Sequence, residues 1–282
     1  MESKAVEIKP YPGVREVGGF AVPVYASVRM SGRARELATR FEQAYRWLGA
    51  LLAATPPIGL IVLSNRDWKR NTESAPGGSF YSHSRHAVVV AGEVPRFLRP
   101  VLALLRSSEP GLYAPVQATY HRQSMLDLSP HTDLWPIHDL GHALHINAGI
   151  RFPRVWLTEL FASLCLVAYV GAVEPQRRAA LEAFPLALGR MPARLFARRS
   201  LAEFEAHYAD MPLENYLWYR CRLLRRAVSL NAKSGPAALL GLWERFLVPC
   251  LDGLSDAALL PVLRDVHPDL ALLVEQWDVP EG

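Results

Sequence analysis

Cysteine is scarce in this chain. Only Cys165, Cys221 and Cys250 occur, odd in number, far apart and set in apolar or amphipathic stretches. That excludes a disulfide framework and a CxxC metal site and leaves reduced, buried thiols as the expectation. Blocks of five or six like charges are also missing. The net charge of +4 and the pI near 9.0 come from arginines such as Arg33, Arg35, Arg40 and Arg46 spread along helix faces. A phosphate backbone is bound by clustered charge, so no nucleic-acid partner is expected. Uninterrupted apolar runs stay short of the roughly 18 residues of a membrane span. The N-terminal Met1-Glu2-Ser3-Lys4-Ala5-Val6-Glu7 lacks the apolar core of a secretion signal. No membrane partner and a cytoplasmic location are therefore expected. There is no internal repeat and no low-complexity linker.

What the chain does have is apolar content: half of its 282 residues, enough to bury a full core. Val22, Val24 and Val28 make residues 20–29 a strand, placed at a sheet edge because Pro23 cannot donate to a ladder. Ser31 can cap a helix in which Leu37, Phe41, Ala44, Leu48 and Leu51 share one face, ending before Pro56-Pro57. Residues 58–64 suit a buried strand, 65–84 a loop, and 87–91 (Ala-Val-Val-Val-Ala) a β-branched strand. From Trp135 the periodicity is helical: 136–147, 154–170, 175–188, 201–209, 214–230, 236–248 and 255–266. The fold class is α+β, with a sheet-containing part over 1–134 and a helical part over 135–282 forming one unit.

The chemistry-bearing stretch is His138-Asp139-Leu140-Gly141-His142, followed by Trp156-Leu157-Thr158-Glu159-Leu160-Phe161-Ala162. Positions four apart on a helix differ by about 40° in direction, so His138 and His142 point the same way and can chelate one ion. Asp139 lies about 100° round from His138, near enough to serve a metal-bound water. Asn147 and Gly149 can end the first helix and Pro153 stands near the start of the second, so an antiparallel return brings Glu159 beside the histidines.

This pattern resembles the gluzincins, the zinc-peptidase group that includes thermolysin, whose signature is HExxH with a glutamate ligand on the next helix. The resemblance covers about 35 residues, from the paired histidines to the WLxE-x-x-A pattern around the third ligand. It implies a zincin-like fold, Zn2+ held by His138, His142 and Glu159, hydrolysis of a peptide or amide bond, and residues 87–91 as the substrate-aligning edge strand. It also implies an oxyanion donor from the helical part, for which Tyr216 and Tyr219 are the candidates, with His207 behind them. Asp139 stands where the group has its general-base glutamate and is one methylene shorter. A base has to come within about 3 Å of the proton it takes, or act through one water.

Other readings stay open on these residues. The same letters resemble the HD-domain phosphohydrolases, in which adjacent His and Asp both bind metal. That reading gives Glu159 no role and meets Pro130 and Pro136 between His121 and His138. A zincin-fold binding protein that has lost catalysis is a second alternative, and ordinary helix residues a third. His145 shares the face of His138 and His142 and is either a fourth ligand or a core histidine. Arg220 or Arg222 can hold a substrate carboxylate, though both also suit a solvated helix face. The run from Tyr81 to His86 can line the cleft.

Overall fold

The computed structural model describes residues 7–72, 78–123, 125–247 and 254–277. Two strands anchor a five-stranded mixed sheet: β3 (Gly59–Leu63) and β5 (Ala87–Ala91). Both read as unbroken apolar runs because both of their faces are covered, as parallel sheets require. The sheet order is β1 (Val14–Glu16), β2 (Val24–Ser27), β3, β5, β4 (Ser79–Ser82). β2, β3 and β5 are parallel, while the two outer strands run antiparallel to their neighbours. The fold is α+β.

Three sequence expectations are corrected here. Residues 87–91 are not an edge strand: β5 lies between β3 and β4, and β4 takes the edge. β2 is not at an edge either. Pro23 precedes it, so its missing N–H costs no ladder bond, and its carbonyl accepts the Leu60 N–H at 2.9 Å. The stretch read as loop over 65–84 contains both β4 and a helix, α2 (Asn65–Asn71), whose cap Ser64 accepts the Asp67 N–H at 3.2 Å. β4 was hidden because four residues of mixed polarity at an edge leave too little alternation to read.

Helix α1 (Ser31–Leu51) buries the predicted face and covers the sheet. Then come α3 (Leu98–Ser108), α4 (Pro110–Tyr120) and the short α5 (Ser129–Thr132), which prolines hid from the sequence. Pro110 occupies the first position of its helix, where the lost N–H would have been unpaired anyway. The helical part follows: α6 (Trp135–Asn147), α7 (Val155–Val173), α8 (Arg178–Gly189) after a 3-10 turn at Pro175–Arg177, α9 (Leu201–His207), α10 (Leu213–Ser234), α11 (Ala237–Leu247), α12 (Asp256–Val266) and α13 (Pro268–Glu275). These match the predicted helices to within a few residues, with α13 in addition.

One hydrophobic core runs from the α1 side of the sheet through α6, α7, α8, α10 and α11, and a smaller one lies on the other sheet face around Ile61, Leu63 and Val89. At its axis is α7, packed by α1, α6, α8, α9, α10 and α11. By length and composition α7 could cross a membrane, but most of it is buried inside the molecule, which makes it a core helix. Cys165 and Cys221 are free and buried, and Cys250 lies outside the described residues.

Candidate metal centre

The site is assembled where α6 and α7 pack. Gly141 permits their close approach, since a Cβ there would stand 2.8 Å from the Ala162 Cα. After α6, Gly149 turns the chain at φ +74°. The first N–H of α7, at Val155, is taken by the Glu205 carboxylate at 2.8 and 2.9 Å. Glu159 then falls one turn into α7, facing the histidines.

Glu159 Oε2 lies 3.5 Å from His138 Nε2, and Glu159 Oε1 lies 3.7 Å from His142 Nε2. Zinc bonds of about 2.0–2.1 Å place tetrahedral ligand atoms roughly 3.4 Å apart, so each histidine stands from the Glu159 carboxylate at close to the spacing one small cation would impose. His138 and Glu159 are each 2% exposed. Both ring nitrogens of His138 and Oε2 of Glu159 are buried without a hydrogen-bond partner among the described residues. The Glu159 backbone lies near the His138 ring but makes no aligned bond. Orphaned buried polar atoms cost about 1–3 kcal/mol each, and two of these, His138 Nε2 and Glu159 Oε2, face each other. Burial pushes the pKa of both His138 and His142 down to about 3, so both imidazoles are neutral at pH 7, the form that ligates metal.

Asp139 also approaches. One ligand atom from each of His138, Asp139 and His142 fits within 4.8 Å, a second possible triad that excludes Glu159. Asp139 meets His138 on the Nδ1 side, with Oδ1 at 3.7 Å, and its Oδ2 accepts a short hydrogen bond from Ser79 Oγ on β4. Burial raises the Asp139 pKa, opposed by Arg220, His142 and the Ser79 bond.

Two tyrosines complete the front of the site. Tyr208, in the turn after α9, donates to Glu159 Oε1 at 2.7 Å and is 37% exposed. Its ring meets Tyr216 edge-on at 5.9 Å. The Glu159 charge, then burial, raises the Tyr208 pKa; burial, then Glu159, raises that of Tyr216. One turn beyond Tyr216 on α10, Arg220 is buried with its guanidinium 5.3 Å from the Trp135 ring centre. Burial works against its charge, but Tyr216, Asp139 and Glu159 outweigh that and raise its pKa.

His138, His142, Glu159, Asp139 and Tyr216 are therefore brought together. Tyr219 is not: its hydroxyl donates to the Ser200 carbonyl at 2.8 Å and its ring stacks on Trp277 in the core. Sequence reasoning missed Tyr208 and Ser79. His207 instead faces Asp210 at 3.6 Å. His145 is a core histidine whose Nδ1 bonds the Ile150 carbonyl at 3.2 Å, packed against Phe152 and Phe161. Arg222 and Arg220 are both buried, against the expectation of a solvated face; Arg222 lies over the Trp218 and Trp277 rings. Tyr81 reaches α6, its hydroxyl accepting from Asn147 Nδ2 at 2.9 Å.

No protein-family model matches this chain, and no curated protein matches it. The site has to be read from its own chemistry.

Proposed function

We propose that the protein is a zinc-dependent hydrolase of peptide or amide bonds on a zincin-like fold, with His138, His142 and Glu159 holding the metal. The observation that carries this reading is the approach of two neutral imidazole Nε2 atoms to one carboxylate, with His138 Nε2 and Glu159 Oε2 lacking a hydrogen-bond partner among the described residues, in the packed interface of α6 and α7. A two-histidine, one-carboxylate set is a donor chemistry suited to catalytic zinc. Zinc there supplies a Lewis acid that activates water and polarises a carbonyl.

The protein's own groups have defined parts. Asp139 is the proton acceptor: Ser79 holds Oδ2, leaving Oδ1 as the free lone-pair bearer, and this anchoring compensates for the shorter side chain by fixing its position. Tyr208 commits its one hydroxyl hydrogen to Glu159 Oε1 and holds that carboxylate in place, while Tyr216, kept protonated by burial and the Glu159 charge, offers a hydroxyl donor to negative charge developing on a substrate oxygen. Tyr219 is withdrawn from that role. β4, as the sheet edge beside α6, has backbone groups free to align an extended substrate, taking the part expected of residues 87–91. The buried thiols of Cys165 and Cys221 suit a reducing, cytoplasmic setting.

The grouping of His138, Asp139 and His142 within 4.8 Å favours a second reading, a metal site of the HD-domain phosphohydrolase kind. Elemental analysis of untagged protein separates the two. Stoichiometric zinc that is lost in Glu159→Ala and kept in Asp139→Ala, with cleavage of a quenched-fluorescent peptide mixture lost in both, is expected. Metal lost in Asp139→Ala and kept in Glu159→Ala refutes the zincin reading, and zinc without cleavage marks a binding protein.

A further inference from the structure

Beside His138 lies a small, partly enclosed space of about 20 Å³ whose walls include His138, Ser163 and Arg220. A single water needs roughly 10–15 Å³. Two of the residues that line it carry buried polar atoms without a hydrogen-bond partner, and a third is a buried arginine. Ser163 Oγ is fully buried and has no hydrogen-bond partner among the described residues, and the same holds for His138 Nδ1. Arg220 is 8% exposed, and no hydrogen bond or ion pair within 4.0 Å is found for its guanidinium among the described residues. The nearest carboxylate oxygen to His138 Nδ1 is Asp139 Oδ1 at 3.7 Å, beyond hydrogen-bond reach.

We propose that Ser163 and Arg220 hold one water in this space and that this water receives the Nδ1–H of His138, making both of them positioning residues for the first metal ligand. The inference rests on the metal reading above. The bonding balances. A guanidinium has donors only, so it turns the water's oxygen toward itself; that oxygen also accepts from Nδ1–H, and one water hydrogen goes to Ser163 Oγ. Three bonds are typical of a buried water. With the proton fixed on Nδ1, the lone pair of His138 is on Nε2, facing Glu159, which is the tautomer a metal ligand needs. Histidine ligands almost always have such a partner on the other nitrogen, and losing it costs about 10–100-fold in metal affinity. Ser163 stands one turn beyond Glu159 on α7, so the helix that supplies a ligand also supplies the support for its neighbour.

The test is zinc affinity of the full chain by competition with a chromophoric chelator, beside the tautomer of His138 in the metal-free protein from long-range proton–nitrogen NMR spectra. Ser163→Val fills the space with methyl groups; it is expected to weaken zinc about 10–100-fold and to release His138 from a single Nδ1–H tautomer. Ser163→Asn places an amide oxygen across the space to accept Nδ1–H directly and is expected to keep both properties, whereas a merely structural role would make Asn the more damaging change. Asp139→Ala should leave the zinc affinity unchanged. Wild-type zinc affinity and an unchanged tautomer in Ser163→Val overturn the proposal, as does a loss in Asp139→Ala with none in Ser163→Val, which would make Asp139 the partner. If the valine variant does not fold, Ser163→Ala is read by the same two measurements. A wild-type protein that binds no zinc but shows the Ser163-dependent tautomer overturns the metal reading and leaves the water site standing.

Discussion

Acidification should unfold the metal-free protein through four histidines. His131, His138 and His145 are 3%, 2% and 5% exposed, and the His142 side chain is 15% exposed. Burial first, with nearby positive or partly positive groups second, lowers their pKa values to about 3 for His131, His138 and His142 and about 4 for His145. Folded-state values below the unfolded one mean that the unfolded chain binds protons first as pH falls. The stability they permit is complete above about pH 6.5 and is lost as pH drops toward 4. At pH 5.5 each unfolded histidine gains about 1.4 kcal/mol from protonation, about 5–6 kcal/mol for four, comparable with the 5–15 kcal/mol that holds a typical domain together. Asp139 acts in the opposite sense, because its raised pKa lets the native state take up to one proton more, so a net uptake of about three to four protons on unfolding is expected.

The assay is urea unfolding of chelator-treated protein between pH 7.5 and 5, with stability plotted against pH. A slope of about 4–5 kcal/mol per pH unit is expected near the lower end. His145→Phe keeps an aromatic ring beside Phe152 and Phe161 and should remove one proton from that slope. A slope below about 1.4 kcal/mol per unit, the value for one proton, would refute the claim that these imidazoles are held neutral by burial.

Other expectations follow from single contacts. Gly141→Ala drives a methyl into the Ala162 backbone and should cost about 1–3 kcal/mol by overpacking, with weakened zinc binding; unfolding and chelator competition measure both. Tyr219→Phe removes the bond to Ser200, so a loss of about 1 kcal/mol with zinc content and turnover intact is expected from thermal melts and peptide assays. Tyr216→Phe should keep zinc and lower kcat about 10²–10³-fold, as loss of an oxyanion donor does; unchanged kcat in a peptide assay would remove Tyr216 from that role.

What the sequence disclosed was local. The ligand spacing on α6, the return through Gly149 and the position of Glu159 each depend on a few adjacent residues, and they read correctly as a juxtaposition. The contributions from afar did not. Ser79 sits on a four-residue edge strand with no legible alternation, and its bond to Asp139 crosses 60 positions. Tyr208 lies one residue past α9, so its reach to Glu159 depends on how α9 packs against α7. Tyr216 and Tyr219 look alike on α10 because three positions leave both near one face; four positions align better, and it is Arg220 that shares the site with Tyr216. The sheet edge was misplaced for the same reason: β5 carries the strong β-branched signal because it is interior.

The burial of α7 on all sides sets a kinetic order on the site. A helix ringed by six others cannot fray one turn at a time, so Glu159 can leave its place only when a large cooperative unit opens, at a free energy near that of global unfolding. Tyr208, by contrast, rides on a surface turn and has water at its side. If the centre holds a metal as proposed, exchange is expected to pass by that turn and not through α7, and an ion released while α7 stays closed would find its seat still formed.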